Sequence, residues 1–488
     1  YEGLPFRVRR ELHSRVALRI EEAAGDAADE QAASLALHSA YAGDHDRTWH
    51  YARIAADRAA SRAAPADAAD LYRRALGAAK GCGDVGDADV SQVTEALGEA
   101  LIRAGELDAA DRSLRAAARL RAGDPLATAR LLLRQAYVAE RVGRFDRMLR
   151  LTRKASKTLE GRAGWAPMRL RAAAMVSEAY ARQFQGRPED ALRLTGPAIQ
   201  AAKTSADRRA LADALILHDW ALVDLGRIDE AVHSGQALEI YESLEDLHGA
   251  ASASNMLGVV AYYQGRWDEA VEGYEVFATS KERLGDSVHA ATGHMNVGEV
   301  RSDQGHLDEA VERFRRARRA YVAAGDTLGV AYCLAYLGRV DARAGRTVDA
   351  DERLREAMES FASLGAEREA AQAEAWLAEN ALLAGDWSRA AAQSERLLAA
   401  PGGDQDAPLL HRVRGEALAR LGRGVEARTA LDEACRLAED ENADLERALS
   451  LAAIARLWPG DPIATEASAT AGKLRERLGV VATPEPPA

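Results

Sequence analysis

Histidine and cysteine are the side chains with the widest chemical range here, and their spacing offers neither a catalytic pair nor a metal site. His289 and His294 are five residues apart, so they would not share one face of a helix. Cys82, Cys333 and Cys435 form no Cys-x-x-Cys pair, and an odd number argues against a disulfide framework. We interpret the histidines as polar surface or groove residues and the cysteines as small packed side chains in a reducing compartment.

Motifs for phosphate binding, hydrolysis and calcium binding lack their defining residues. Gly472–Lys473 has neither the upstream glycine nor the following Ser or Thr of a Walker A loop. The sequence contains no GxSxG and no HExxH. The acidic run EDENADLE at 439–446 lacks the glycine and the spacing of a calcium loop. We therefore expect no catalytic residue, no metal and no cofactor, and interpret the chain as a non-enzyme.

Charge and hydropathy limit the partners of the chain. Its 488 residues carry a net charge of −12, which argues against direct nucleic-acid binding, because such binding needs a basic face that releases phosphate counterions. No apolar run reaches the roughly 20 residues that cross a bilayer. The first residues, YEGLPFRVRRELHSRV, have arginines where a signal peptide would be apolar. We expect no membrane association, a cytoplasmic location and, since the chain begins with Tyr1, a piece of something longer.

A glycine that recurs along the chain indicates the repeating structural elements on which any functional site must be built. Successive copies are 37 to 43 residues apart, a period typical of a solenoid. Most are followed by an apolar residue and acidic residues, as in YQGRWDEA and DQGHLDEA. These turn glycines are Gly105, Gly143, Gly186, Gly226, Gly265, Gly305, Gly345, Gly385 and Gly422.

Each position of the repeat has a physical role. The glycine can end a helix, where positive φ is needed, and acidic residues suit the first turn of the next helix. An alanine usually follows the glycine by five residues, and a Gly or Ala usually precedes it by seven. Such small residues mark close helix crossings, since glycine inside a helix is otherwise unfavourable. We predict an all-α fold, a right-handed α-solenoid of tandem helical hairpins.

These residues resemble the tetratricopeptide repeat (TPR) over about residues 91–438. The usual unit has about 34 residues. A longer unit of about 40, similar to that of bacterial signalling ATPases and kinesin-light-chain-type scaffolds, implies longer second helices or looser connections. Residues 1–80 are similar to the segment that follows the ATPase and winged-helix modules of actinobacterial STAND-type signalling ATPases. Some of these carry a class III nucleotide cyclase or a DNA-binding regulator domain. The resemblance implies a C-terminal sensor region whose ATPase or output domain lies outside this chain.

The same reasoning divides the chain into regions. Long loops between helices are expected at 159–168 and 400–408. The regions are an N-terminal helical segment with degenerate hairpins (1–80), a linker (81–90), the repeat array (91–438), capping helices (439–478) and a disordered tail (479–488).

The first helix of each hairpin is expected to line a concave groove. The position six residues before each turn glycine should face inward, and its occupants change from aromatic to charged along the chain. Asparagines one turn away can pair with a peptide backbone, and aromatic residues are frequent at interface hot spots. Alternatively, the aromatic residues only fill gaps between successive helices. The candidate groove residues are Tyr137, Tyr180, Trp220, Asn255, Val259, Tyr262, Asn296, Glu299, Arg339 and Glu379.

Two functions are consistent with this pattern. The favoured hypothesis is a non-catalytic protein–protein interaction and sensor module that binds a protein or peptide in the groove and regulates an attached signalling ATPase. Binding would reshape an array whose repeats touch only their neighbours. The alternative is a small-molecule sensor domain of a transcriptional regulator or nucleotide cyclase, with one pocket lined by Tyr180, Trp220 and their neighbours.

Overall fold

The structure, a computed structural model, describes residues 4–400 and 406–487. The chain is an all-α solenoid of helices joined by short turns. It divides into two compact units, Tyr1–Ala221 and Leu222–Ala488. Within the described ranges, no helix has both the length and the apolar content that a membrane crossing requires.

Helices of the first unit pack against each other in chain order. They are α1 (Phe6–Ala24), α2 (Ala32–Ala42), α3 (His45–Ser61), α4 (Pro65–Ala79), α5 (Asp87–Arg103), α6 (Leu107–Leu120), α7 (Pro125–Arg141), α8 (Phe145–Thr158), α9 (Trp165–Phe184), α10 (Pro188–Thr204) and α11 (Arg208–Asp224). A 3₁₀ segment, Gly25–Gln31, joins α1 to α2. From α3 onward the closest packing is within the hairpins α3/α4, α5/α6, α7/α8 and α9/α10.

The second unit continues the same arrangement. Its helices are α12 (Ser234–Ser243), α13 (Leu247–Tyr263), α14 (Trp267–Arg283), α15 (Ser287–Gln304), α16 (Leu307–Ala324), α17 (Thr327–Arg343), α18 (Thr347–Ser363), α19 (Glu367–Leu383), α20 (Trp387–Leu398), α21 (Ala407–Arg420), α22 (Gly424–Asp440), α23 (Asp444–Leu457) and α24 (Pro462–Leu478). Hairpins run from α13/α14 to α23/α24, and each packs on the next.

Longer helices account for the 40-residue period in the second unit. Both helices of the hairpins α13/α14, α15/α16 and α17/α18 have 17 or 18 residues. Each turn glycine has φ between 67° and 91°, as its role at a helix end requires. After α16 the chain turns at Gly325, and the Asp326 carboxylate accepts from the Gly329 N–H at the start of α17. The connections are therefore short, and the residues added to the usual repeat lie in the helices.

For every turn glycine except Gly226, the residue seven positions earlier is small and is matched in size to the residue sixteen positions after it. A Cβ on Gly298 would lie 2.7 Å from the Phe314 ring, and one on Gly258 would lie 2.9 Å from the Tyr274 ring. Where alanine replaces glycine, the later residue is a small hydroxyl residue that is also fully buried. The matched positions are Gly98/Leu114, Gly258/Tyr274, Gly298/Phe314, Gly338/Leu354, Gly415/Leu431, Ala136/Thr152, Ala179/Thr195 and Ala378/Ser394.

The hairpin after Gly226 departs from the repeat. Its sequence, RIDEA, fits the regular start of a second helix, but the structure has a single 3₁₀ turn, Ile228–Glu230. Ala231 leaves the helical region, with φ −80° and ψ 79°, and helix α12 begins only at Ser234. The second helix of this hairpin is consequently only 10 residues long.

The last hairpin of the second unit returns to the turn between α13 and α14. A Cβ on Gly265 in that turn would lie 3.3 Å from Leu478 and 3.2 Å from the Asp444 carboxylate. Leu449 and Leu478 join Trp267 in one buried apolar cluster. The second unit therefore closes on itself between its first complete hairpin and its last.

Four segments predicted to be non-helical have these positions in the structure. Helix α9 begins at Trp165, within the predicted loop 159–168. Helix α5 begins at Asp87, within the predicted linker 81–90. Most of the predicted loop 400–408 lies outside the described residues. Residues 479–487, predicted to be disordered, run extended along the second unit, where the Val481 N–H donates to the Gln304 carbonyl at 2.8 Å.

Candidate functional site

Two of the three candidate residues in the first unit belong to an aromatic cluster. Tyr180 and Trp220 meet edge-on, with ring centroids 6.4 Å apart. Phe184 touches both rings, 4.7 Å from Tyr180 and 5.2 Å from Trp220, and Phe145 stacks on it at 4.9 Å. Phe184 is 47% exposed, so the cluster opens to solvent on one side. The sequence analysis did not select Phe184, although it lies four residues after Tyr180 on the same helix face.

Tyr137, the third candidate in this unit, has one ring face covered. The Arg134 guanidinium lies 5.5 Å from its ring centroid and also pairs with Glu99 on α5. Glu140, one turn further on, is half-buried, and desolvation raises its pKa to about 7. Tyr137 therefore packs within the unit and offers less free aromatic surface than Phe184 does.

Asn255 and Asn296 are brought together by neighbouring hairpins. The side-chain amide of Asn296 on α15 donates to the side-chain oxygen of Asn255 on α13 at 3.3 Å. Both side chains are half-buried. Within residues 4–400 and 406–487, no acceptor meets the Asn255 Nδ2 and no donor meets the Asn296 Oδ1. Because these atoms are one donor and one acceptor, the pair presents what a peptide group needs.

Val259 and Tyr262 lie against the cluster that the last hairpin covers. Tyr262 stacks on Trp267 with centroids 5.7 Å apart and planes 7° apart, and the Trp267 indole N–H donates to the Tyr262 carbonyl at 3.1 Å. Val259 packs on the same cluster, to which α23 contributes Leu445 and Leu449. These two candidates thus contribute to closing the second unit.

Two of the three charged candidates, Arg339 and Glu379, pair within one ion network on successive first helices, and Glu299 lies beside it. Arg339 on α17 lies 3.3 Å from Asp303 on α15 and 4.0 Å from Glu379 on α19. Glu299 lies one turn before Asp303, and burial together with the Asp303 charge raises its pKa to about 7. Arg343 pairs with Asp303 at 2.5 Å. Most of the network is buried, so its first role is structural.

Arg412 extends this network toward the end of the chain. It pairs with Glu379 at 2.7 Å, Glu446 at 2.7 Å and Glu416 at 3.4 Å, and its side chain is 5% exposed. Although burial opposes ionisation of Glu379, nearby guanidinium groups, Arg412 first, lower its pKa to about 2. Arg456 on α23 pairs with the other side of Glu416. Five consecutive hairpins, from α15/α16 to α23/α24, are held together through Arg339 and Arg412.

The arginines and acids that complete this network are not among the residues predicted from the sequence. Asp303 and Arg343 each follow a candidate residue by four positions, and Arg412 precedes Glu416 by four. That spacing places each on the same helix face as its neighbour. A search for charges one turn from Glu299 and Arg339 would have found Asp303 and Arg343, whereas Arg412 lies one turn from no candidate residue.

The histidines and cysteines examined for chemistry are separated in the fold. His294 contacts Glu282 at 2.9 Å, whereas His289 contacts Asp286 at 2.8 Å. Over the described part of the chain, no three His, Cys, Asp or Glu side chains are grouped as metal ligands. Burial raises the pKa of the Cys333 thiol to about 12, which keeps it protonated.

Comparison with known proteins supports the repeat assignment. Residues 289–363 match the family model for the tetratricopeptide repeat, so the resemblance is confirmed and the chain carries such repeats. A search of curated protein sequences found no match.

One solved structure shares the fold at low identity, and two others are similar over part of their length. A Rap protein complexed with competence and sporulation factor has 15% identity and a TM-score of 0.54, covering 73% of this chain and 99% of that one. Aspartyl phosphate phosphatase F from Bacillus subtilis has 13% identity and a TM-score of 0.46, covering 73% and 93%. A signal transduction ATPase with a tetratricopeptide repeat sensor from Pyrococcus horikoshii has 14% identity and a TM-score of 0.46, covering 78% and 55%.

Proposed function

We propose that this chain is a non-catalytic sensor and interaction module whose second unit binds an extended protein or peptide segment. The observation that carries the proposal is the pair Asn255 and Asn296 on neighbouring first helices. Asn255 Nδ2 would donate to a peptide carbonyl and Asn296 Oδ1 would accept from a peptide N–H. These two hydrogen bonds would recognise the backbone of the ligand and not its side chains. Specificity for a particular sequence must therefore come from neighbouring residues.

Two half-buried charged residues near this pair, Glu299 and Arg339, contribute charge to the groove wall. Glu299 lies three residues after Asn296, and Arg339 lies on the next first helix. Charged walls favour partners of complementary charge and speed their association. The fold supports this function as well, because a Rap protein with the same fold has been solved with competence and sporulation factor.

We further propose that ligand binding is passed to a signalling ATPase attached to this chain. The similarity of residues 1–80 to the segment that follows such ATPase modules supports this part of the proposal. Repeats that contact mainly their neighbours transmit a local change along the array.

Peptide binding tests the proposal directly. A peptide selected against the full chain from a random display library would be measured by fluorescence anisotropy. We expect Asn255→Ala with Asn296→Ala to weaken its affinity by about tenfold or more, since each lost hydrogen bond contributes about 0.5–1.5 kcal/mol. The matched control is Glu272→Ala with Glu312→Ala, on exposed faces of second helices, which should leave the affinity unchanged. Equal affinities of both double variants would reject the proposed groove.

A small-molecule sensor is the second candidate, favoured by the aromatic cluster of the first unit. Tyr180, Phe184 and Trp220 form a partly open apolar surface. A thermal-shift screen of metabolites should then find a compound that stabilises the chain but not its Trp220→Leu variant. If the compound stabilised the Trp220→Leu variant equally, it would bind outside the aromatic cluster.

A further inference from the structure

The extended segment Gly479–Pro487, here called the strap, crosses the turns of successive hairpins. Gln304 holds its beginning on two sides: its side-chain amide donates to the Leu478 carbonyl at 3.1 Å, and its carbonyl accepts from the Val481 N–H at 2.8 Å. Pro487 near the other end lies 3.3 Å from the Cβ position of Gly385. The strap therefore reaches from the α15/α16 turn to the α19/α20 turn.

Close backbone contact accompanies this path. A Cβ on Gly305 would lie 2.6 Å from the carbonyl oxygen of Ala482 and 2.9 Å from its nitrogen. Because Gly305 has no side chain, the backbone of the strap can lie directly on the α15/α16 turn. Three prolines, Pro484, Pro486 and Pro487, limit the conformations of the strap and lower the entropy lost when it docks.

The strap closes a small cavity that contains an incompletely paired arginine. Ala482, Thr483 and Pro484 face a space of about 50 Å³ whose other wall includes Asp303 and Arg343. The Arg343 side chain is only 3% exposed. Arg343 and the middle of the strap therefore line the same space.

Arg343 uses only one of its edges. Its Nη1 donates to the Ser302 carbonyl at 3.0 Å and to Asp303 at 2.5 Å. Its Nε and Nη2 have no hydrogen-bond partner within the described residues. These two nitrogens form the side of a guanidinium that binds a carboxylate through two parallel hydrogen bonds. Leaving them unpaired in a buried site is unfavourable.

The strap supplies no carboxylate to this edge. The residues that face the cavity are Ala, Thr and Pro, and the acidic residue of the strap, Glu485, is exposed. Val481 is 66% exposed, so its side chain adds little to docking. The strap thus covers the site but provides no hydrogen-bond acceptor for the Nε and Nη2 of Arg343.

We propose that the strap is an internal, displaceable occupant of a peptide site, and that the ligand is an extended segment whose carboxylate pairs side-on with Arg343. This proposal rests on the proposed function, because it names a second position at which the bound segment is recognised. A ligand with Asp or Glu at the position of Thr483 would keep the backbone contacts of the strap and add the missing pair.

Amide exchange of Val481 measures whether the strap is docked, because its N–H is bonded only in the docked state. In the full chain, Thr483→Asp should slow this exchange about tenfold or more relative to the matched control Thr483→Asn, since hydrogen bonds to charged groups are stronger than neutral ones. In an Arg343→Lys background, which keeps the charge but removes the two-pronged edge, the difference between the two variants should disappear. Equal exchange in Thr483→Asp and Thr483→Asn would overturn the assignment of Arg343.

Displacement is tested with peptides added to the full chain. Val481→Pro removes the N–H that holds the strap, whereas Val481→Ala retains it and serves as the control. The peptide VVADPEPPA should bind Val481→Pro about fivefold more tightly than Val481→Ala, because the competing strap is released. It should also bind more tightly than VVANPEPPA. Equal affinity for both variants would overturn displacement, and acetate binding as tightly as the peptide would overturn an extended ligand.

These experiments separate the two proposals. They use only peptides derived from the strap and do not depend on Asn255 or Asn296. Failure of the asparagine test with success here would reject the groove but retain the strap site, and the reverse result would retain the groove alone.

Discussion

Gly298 on α15 lies so close to the ring of Phe314 on α16 that a Cβ at this position would be 2.7 Å from the ring edge. The same pair of positions holds Ala378 and Ser394 in the α19/α20 hairpin, where both are fully buried. When one position of the pair holds a larger residue, the other holds a smaller one. The space where the two helices cross is therefore filled in each hairpin, although the helices approach each other to different extents.

This size matching predicts coupled effects in a double-mutant cycle. Ser394→Leu alone should lower the free energy of unfolding by about 1–3 kcal/mol through overpacking, and Ala378→Gly alone by about 1 kcal/mol. Together they recreate the Gly/Leu pairing of Gly338 and Leu354, so the loss should be smaller than the sum by about 1 kcal/mol or more. Urea unfolding followed by circular dichroism measures all four forms. Strict additivity would contradict the matching.

Removing Arg412 should strongly destabilise the second unit. Arg412→Leu leaves the buried carboxylates of Glu379 and Glu416 without their shared partner, and such a loss costs about 3–5 kcal/mol. Arg436→Leu is the control, since Arg436 pairs with Glu433 at the surface and should matter little. The free energy of unfolding in urea distinguishes the two. Comparable losses would show that the buried network contributes no more than a surface pair.

Glu299 should make stability depend on pH. Its pKa is raised to about 7 by burial and the Asp303 charge, while a hydrogen bond from Tyr336 and the charges of Arg339 and Arg343 oppose the rise. A carboxyl whose folded pKa is raised contributes stability below its ordinary value of about 4.5, and this contribution is lost as pH rises through about 7.

Glu299→Gln should therefore stabilise the chain relative to the unmodified protein at pH 8, by up to about 3 kcal/mol, and hardly at all at pH 4. The free energy of unfolding is measured for both proteins between pH 4 and pH 8, and the difference between them is plotted against pH. Glu140, whose pKa is also raised to about 7, is present in both forms, so its contribution cancels from the difference. Glu312→Gln, at an exposed position, is the control and should give a flat difference. A flat curve for Glu299→Gln as well would contradict the raised pKa.

Cys333 should resist alkylation in the folded chain. Its side chain is fully buried and its pKa is about 12, so almost no reactive thiolate is present at pH 8. Peptide mapping after a pulse of iodoacetamide should find Cys333 unmodified until urea is added. Cys82 and Cys435, which are only half-buried, serve as internal references. Rapid labelling of Cys333 under native conditions would indicate local opening of α17.

Local features of the fold were predictable from the sequence, whereas the closure of the second unit was not. A helix end at Gly305 follows from the conformational freedom of glycine, which depends on no distant residue. Contact between Gln304 and Leu478 joins residues 174 positions apart and results from small rotations accumulated over five hairpins. No motif near either residue signals it.

The candidate site was predictable to a similar extent. The spacing of Asn255 and Asn296 by about one repeat predicted that both face the same side, and their hydrogen bond places them together. Arg339 and Glu379 were selected as groove walls, but the network around them also includes Arg343 and Arg412, which were not selected. Repeat periodicity predicts equivalent positions, whereas charge pairing depends on which residues the neighbouring helices carry.

Closure between Gly265 and Leu478 also fixes how many hairpins the second unit can contain. Open arrays gain or lose copies readily, because a duplicated or deleted hairpin only lengthens or shortens the stack. In this unit, duplication of a hairpin would move α24 beyond the α13/α14 turn that it contacts, and deletion of a hairpin would prevent α24 from reaching that turn. Copy number in this part of the chain is thus constrained by geometry, so variation among natural homologues should be concentrated in single residues and not in whole repeats.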